Sequence, residues 1–421
     1  MSHKTLSFLG AILINVNVVV GSAFFLGAGT IAHSCGVWAP GVWLVCGLLL
    51  VPLAAALVYF AKRYPEAGGI YWYCEKTLGS WWGFISAWGY FVGTAAGNAA
   101  VLKAFTGALQ SIPVFAQGMH FLSKIGIEST VLCVLLFAWI SCSNISLFER
   151  MQVGFTFFKL IPLLVIVLGA LFLGGAGNIP QMPFNAMHFF GAIPVVLFAY
   201  IGIEACSAVI DKINNPERNG FRVLLISFST IVALYTFLQA CIIVMPRVNG
   251  VSPFLSIIPA LTNNPVIATW GNALISAAIT ASFLGGFYGM FYFNNWILYS
   301  IGKDKSFIGS SYLTRLNAQG APWVCVVSQS VLIILLFYLV QHDDHLFVMS
   351  DFGVGIAYLL TAYAYFWASK KKSALAAIAS CLLLLILAVR NLVLSSPWNI
   401  LPFVLILVFG IVGYLARKRL V

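Results

Sequence analysis

Val20-Gly21-Ser22-Ala23 interrupts one apolar segment, near residues 6–33, and Tyr200-Ile201-Gly202 interrupts another, near 187–212. Each segment is long enough to cross a bilayer with a break inside it. A break frees N–H and C=O groups that lipid cannot satisfy, so the broken backbone must face protein, water or a ligand. The two segments stand five spans apart, and matched interruptions in two halves of a chain point to a binding site near the membrane midplane. Half-helix N-termini attract a carboxylate and freed carbonyls attract an ammonium, so the site suits a zwitterion of amino-acid type. The other reading is that these glycines serve only close helix packing. The polar neighbours Ser22, Glu204 and Ser207 weigh toward the site.

Of 421 residues, 61% are hydrophobic, 15% aromatic and only 8% charged, and the mean hydropathy is +0.99. A water-soluble domain carries about 25% charged residues. This chain cannot coat a soluble surface of its size, and an all-α polytopic membrane protein is expected. Secreted disulfide-stapled, disordered and nucleic-acid-binding classes are excluded on the same ground, the net charge of +11 reflecting basic residues clustered between spans. Nine cysteines form no CxxC pair and read as small core residues. Met1 to Phe8 leads into an apolar stretch without a small-residue cleavage site and reads as the start of a retained helix. No GxxxxGK[ST], HExxH, nucleophile elbow or paired catalytic carboxylates occur, so ATP-driven transport, a metal centre, a cofactor and an enzyme are not expected. His342-Asp343-Asp344-His345 reads as a solvated cap on an external turn.

Breaks at Gly, Pro, Asn and charge clusters give about twelve apolar segments, near 6–33, 37–61, 82–112, 127–147, 150–174, 187–212, 222–246, 267–301, 322–341, 346–369, 373–392 and 397–416. Positive loops tend to stay cytoplasmic. With the N-terminus inside, seventeen of the 22 lysines and arginines fall on that face, among them Lys62, Arg63, Lys76, Lys303, Lys305 and Lys370 to Lys372. Only Lys124, Arg247 and Arg390 fall on the other, and Lys103 and Lys159 lie within spans. That asymmetry predicts an even number of spans with both termini cytoplasmic.

Three ordered motifs carry a resemblance. Tyr64-Pro65-Glu66-Ala67-Gly68-Gly69-Ile70-Tyr71-Trp72-Tyr73, followed by Gly79, Gly83-Phe84 and Trp88, is similar to a P-x-x-G-G-x-Y-x-Y loop leading into a third span. Phe198-Ala199-Tyr200-Ile201-Gly202-Ile203-Glu204, with Asn215-Pro216-Glu217-Arg218 after it, is similar to a sixth span and its N-P-x-R loop. Ser300 to Pro322 is similar to an amphipathic intracellular stretch ending Gly-Ala-Pro. Through these motifs the chain resembles the amino acid–polyamine–organocation superfamily and, more narrowly, the bacterial amino-acid permeases and antiporters related to the SLC7 carriers.

The resemblance implies a LeuT-type fold. Spans 1–5 in residues 1–175 and spans 6–10 in 186–369 form inverted repeats, two further spans lie in 370–421, and spans one and six are discontinuous. It implies that Gly21, Ser22 and Ala23, standing where the family has G-S-G, hold the substrate carboxylate through backbone amides. The alanine keeps the N–H but adds a methyl and restricts positive φ. The carbonyls of Val18, Val19, Phe198 and Ile201 are implied to hold the α-ammonium, with Gly202 at the second break. By likeness to the arginine/agmatine antiporters of the family, Tyr90 is a gate-lining aromatic, and Thr94 and Asn98 face the substrate side chain. Phe198 and Met290 stand where those antiporters have tryptophans. Loss of both indoles weakens a cation–π clamp and implies a neutral or less strongly basic substrate.

An ionisable group within a span is a functional candidate by default. Lys159 lies nine residues into segment five, between Phe157-Phe158 and Leu160-Ile161-Pro162. The resemblance places it where sodium-coupled relatives bind a cation; it either exchanges a proton during the cycle or is a permanently charged strut. Glu204, after the break in segment six, either carries a proton or hydrogen-bonds the unwound backbone. Lys103, nearer one end of segment three, lines the pathway or snorkels.

The expected function is secondary active transport of amino acids by alternating access, sodium-independent, with proton coupling or exchange. The expected place is the cytoplasmic (inner) membrane, as monomer or homodimer. An amino acid/amine antiporter or exporter, and a non-transporting amino-acid sensor of the same fold, are the alternatives.

Overall fold

The computed structural model describes residues 5–110, 118, 129–246, 253–305, 307, 309–340, 342–394 and 397–420. Lys4, one of the seventeen counted on the cytoplasmic face, and Lys124 and Arg247 on the other lie outside the described residues. In chain order the helices are α1 (Phe8–Val19), α2 (Ser22–Cys35), α3 (Ala39–Arg63), α4 (Ile70–Leu78), α5 (Ser80–Gln110), α6 (Ser129–Ser141), α7 (Ile145–Leu173), α8 (Ala186–Gly191) and α9 (Ile193–Tyr200). They continue as α10 (Pro216–Val244), α11 (Pro253–Leu261), α12 (Pro265–Lys303), α13 (Ser310–Leu313), α14 (Trp323–Leu339), α15 (Asp343–Ser369), α16 (Ser373–Leu394) and α17 (Pro397–Leu420). No strand occurs among the described residues; the one β-bridge joins Leu6 to Ile213.

Each of the expected apolar segments overlaps a helix, and among the described residues eight stretches are long and apolar enough to cross a membrane. The chain is an all-α, multi-pass membrane protein. Its helices start where the local chemistry frees them to. Ser7 caps α1 by accepting the Gly10 N–H at 3.0 Å, Asn144 caps α7 through Leu147 at 3.0 Å, and Asn264 caps α12 through Val266 at 3.0 Å. Pro216 and Pro265 sit at the first position of α10 and α12, where a missing N–H costs nothing.

Helix α5 is the centre of the bundle, buried along almost all of Gly83–Ala100. Small residues allow this. A Cβ on Gly93 would stand 2.9 Å from the Gly353 Cα, so α5 and α15 touch backbone to backbone.

Segments one and six are both broken. The first breaks at Val20-Gly21, between α1 and α2. The sixth departs further from expectation: after α9 the chain runs through a turn at residues 201–204 and a 3-10 helix over Ala205–Lys212, with Val209 off helical geometry (φ −129°, ψ 30°). Distant residues take over some of the backbone groups there, the Ile203, Ala208 and Lys212 oxygens and the Cys206 N–H, while others bond three residues back. The Tyr64–Tyr73 motif, expected as a loop, contains the start of α4 (Ile70–Leu78).

Candidate functional site

The last four carbonyls of a helix have no partner within it. In α1 the Val16 oxygen accepts from Val20 N at 2.9 Å, the Asn17 oxygen from the Lys159 ammonium, and the Val19 oxygen from the Tyr235 hydroxyl at 2.8 Å. Val18, the remaining one, lines a cavity. In segment six the Ala199 oxygen accepts from the same Tyr235 hydroxyl at 3.0 Å. Asn15 on α1 spans the second break: its Nδ2 donates to the Ile203 oxygen and its Oδ1 accepts from Cys206 N, both at 3.1 Å. Gly202 has φ +107°, a conformation that favours glycine, and a Cβ there would come within 3.3 Å of Met290, Val18 and Val19. The two breaks are thus tied to each other as well as to α7 and α10.

Between the breaks lies a cavity with about 460 Å³ of atom-free space, its mouth included. Ten of the twelve substrate-binding residues expected from sequence stand on its wall: Val18, Val19, Gly21, Ser22, Ala23, Thr94, Asn98, Phe198, Ile201 and Met290. Three buried polar atoms from its wall residues have no hydrogen-bond partner, Ser22 Oγ at the start of α2, Asn98 Nδ2 on α5 and Ser350 Oγ on α15. Buried polar groups are paired in more than about nine cases in ten, so orphans from three helices around one cavity mark a place for a polar guest. The Thr94 hydroxyl instead donates to its own helix, to Tyr90 O at 2.8 Å. Ala23 lies in the first turn of α2 without positive φ, so the third family glycine is not needed for this backbone.

Tyr90 and Gly202 are not on the wall. Tyr90 instead donates to one Glu204 oxygen at 2.5 Å while Tyr358 of α15 donates to the other at 2.5 Å. The carboxylate, 1% exposed, therefore bridges α5 and α15 through the turn in segment six. Lys159 is 3% exposed and holds the C-terminal end of α1, where a helix dipole favours a cation. Next to it, Asn17 Nδ2 donates to Gln152 Oε1 at 2.5 Å, and Gln152 Nε2 donates to the Gly285 oxygen of α12 at 3.1 Å. Lys103 lies apart from the cavity and donates to the Val340 oxygen at the end of α14 at 2.5 Å.

The cavity is closed toward the face that carries Leu6. Leu6 N donates to Lys212 O at 2.7 Å, and Asn214 N returns a bond to Leu6 O at 2.9 Å. Gly68 N donates to Ala208 O at 2.9 Å, and Gly69, at φ +41°, leaves no room for a Cβ beside Ser207. The glycine pair of the Tyr64–Tyr73 motif therefore seals the 3-10 helix from below. Toward the opposite face, Ala23 and Phe198 also belong to the wall of a wider vestibule. The Phe198 ring stands edge-on to Phe347, centroids 4.5 Å apart.

Sequence reasoning missed Asn15, Gln152, Tyr235, Ser350, Asp351 and Tyr358. Asp351 had a readable signal, an ionisable residue within a span.

A broken-helix pair around an orphan-lined cavity, in a bundle sealed on one side, defines a membrane carrier for a small polar solute. No group of three or more His, Cys, Asp or Glu able to hold a metal occurs among the described residues. The chain matches the amino acid permease family over residues 6–420 and belongs to it; it is a secondary amino-acid transporter, not an enzyme. It is similar to the serine/threonine exchanger SteT of Bacillus subtilis, 23% identical over 373 residues that cover 87% of this chain and 84% of the relative. It is also similar to the L-lysine transport protein of Corynebacterium glutamicum (25%, covering 77% and 67%). The arginine/ornithine antiporter of Pseudomonas aeruginosa is 24% identical, covering 84% and 75%.

Proposed function

We propose that the protein moves amino acids across the cytoplasmic membrane by alternating access, without sodium, by proton coupling or by exchange. The observation that carries this reading is the meeting of both helix breaks with three orphaned polar atoms in one cavity. The start of α2, with Gly21, Ser22 and Ala23, suits the substrate carboxylate, and the carbonyls of Val18, Val19, Phe198 and Ile201 suit the ammonium. Residues 1–175 and 186–369 act as the two inverted repeats, and 370–421 adds the last two spans. The Lys/Arg asymmetry supports cytoplasmic termini, which makes the sealed face the cytoplasmic one. Lys159 supplies positive charge, permanent or exchanged with a proton, where a sodium-coupled carrier needs a metal ion. Glu204, held between the Tyr90 and Tyr358 hydroxyls, carries a proton during the cycle. Two of the relatives are named for exchange or antiport, which supports exchange as one mode.

Purified protein in liposomes tests the reading. Labelled amino acid should enter without sodium and faster when the lumen holds unlabelled amino acid. Binding without flux supports a sensor and counts against a carrier. Cross-linking before and after reconstitution separates monomer from homodimer.

A further inference from the structure

The wider vestibule has about 1320 Å³ of atom-free space, open mouth included, and lies on the face opposite Leu6. Helix α15 presents Asp344, Val348 and Asp351 to it, the i, i+4, i+7 spacing of one helix face. At 1.5 Å per residue the two carboxylates stand about 10 Å apart along the axis. Asp344 is exposed at the mouth. Asp351, at the inner end, is 4% exposed and its Oδ1 has no hydrogen-bond partner.

A carboxylate left in this state within a spanning helix costs several kcal/mol unless a partner meets it. The wall is otherwise mostly apolar, with Leu26, Gly27, Val195, Phe198 and Phe347, and besides Asp344 its other polar side chains are Thr30 and His345, too few to complete a metal shell around Asp351. A metal ion takes several oxygen ligands, and aliphatic carbons offer none. An organic ammonium or guanidinium asks for less, one carboxylate and an aromatic face, and Phe198 and Phe347 stand beside Asp351 in the same wall. The vestibule and the central cavity share Ala23 and Phe198, and Ser350, the residue before Asp351, lines the central cavity with its own Oγ orphaned. A molecule whose amino-acid end occupies the breaks can therefore reach Asp351 with its side chain.

We infer that Asp351 is a specificity-determining residue that binds the positively charged side-chain end of a basic amino acid. The inference rests on the reading of the central cavity as the amino-acid site. It narrows the expectation of a neutral or less strongly basic substrate to a basic one: where the indoles are missing, α15 supplies a carboxylate.

The test is competition binding of L-lysine against L-norleucine, which has the same carbon chain without the ε-ammonium, to the purified full-length protein. Wild type should prefer L-lysine by about tenfold or more, the scale of one charge-assisted hydrogen bond. Asp351→Asn, of equal size, should bring the ratio close to one, and Asp351→Glu should restore part of it. Asn removes an unpaired buried charge, and size-exclusion profiles check that both variants remain folded. Equal preference in wild type and Asp351→Asn overturns the inference, as does wild type that binds no L-lysine or prefers L-norleucine. Flux in liposomes is read separately. L-lysine binding that needs Asp351 but gives no flux overturns the carrier and upholds Asp351. L-norleucine flux with no preference for L-lysine upholds the carrier and overturns Asp351.

Discussion

The Tyr235 hydroxyl donates to the Val19 carbonyl at 2.8 Å and lies 3.0 Å from the Ala199 oxygen, so one side chain on α10 serves the frayed ends of both α1 and α9. The ring itself is fixed independently, stacked on Phe24 with centroids 5.0 Å apart and tilted against Trp43 at 4.8 Å. Tyr235→Phe should keep that packing and leave two buried carbonyls without their donor, a loss of about 1–3 kcal/mol. The expected outcome is a lower melting temperature in detergent and transport reduced about two- to tenfold, if half of the loss falls on the broken-helix state that binds. Unchanged melting and unchanged flux would remove Tyr235 from any account of the site.

Tyr90 and Tyr358 reach opposite oxygens of one buried carboxylate, Glu204. Their effects should therefore not add. In a double-mutant cycle, Tyr90→Phe and Tyr358→Phe should each lower flux, and the pair should lower it by less than the product of the two, with a coupling of about 0.5–3 kcal/mol typical of residues in one network. Glu204→Gln keeps the shape and loses the titratable group, so the flux that remains should lose the pH dependence of the wild type. Independent effects of the two tyrosines, or a pH profile that survives in Glu204→Gln, count against Glu204 as the proton carrier.

Much of the architecture was legible because apolar segments of spanning length, and glycine where a span must break, are local properties of the chain. Gly21 and Gly202 marked both breaks. What followed Gly202 was not legible: the 3-10 course of Ala205–Lys212 depends on Asn15 and Leu6, which meet it only in the folded bundle. The same holds for Tyr235, Gln152 and Tyr358. A polar residue in an apolar helix carries no sign of what it faces until its neighbours are in place. The cavity-lining residues that resemblance did supply, such as Asn98 and Met290, came from aligned motifs, because periodicity alone could not select them from α5 or α12.

The two break glycines should respond differently to alanine. Gly202 has φ +107°, and a Cβ there meets Met290, Val18 and Val19 at 3.3 Å; the strained backbone alone costs about 1–3 kcal/mol. Gly21 is extended (φ −119°, ψ −152°), and a Cβ there has only ordinary contact, 3.7 Å from the Val18 oxygen. Gly202→Ala should express poorly and melt early. Gly21→Ala should fold normally, its added methyl entering the cavity wall and raising KM. Matched thermal unfolding and uptake curves check both, and equal melting of the two variants contradicts the assignment of strain to Gly202.

Lys159 places an ammonium on the Asn17 carbonyl at the open end of α1, buried in the middle of α7. Two roles are compatible with that geometry, and arginine separates them. An arginine stays charged at any accessible pH, whereas a lysine can release its proton. Lys159→Ala removes the charge and leaves the α1 terminus without its cation, so gradient-driven uptake should fall to about a tenth or less, given the 2 kcal/mol scale of a partly buried charge at a helix end. The protein should remain folded, because Asn17 and Gln152 still tie α1 to α7 and α12. If the lysine only holds α1, Lys159→Arg should recover a substantial share of uptake with the wild-type pH profile. If it gives up its proton in each cycle, Lys159→Arg should bind substrate, exchange it across the membrane, and fail to concentrate it against a gradient. Uptake measured with and without an imposed pH gradient in the three proteins distinguishes these outcomes, and wild-type coupling in Lys159→Ala excludes both roles.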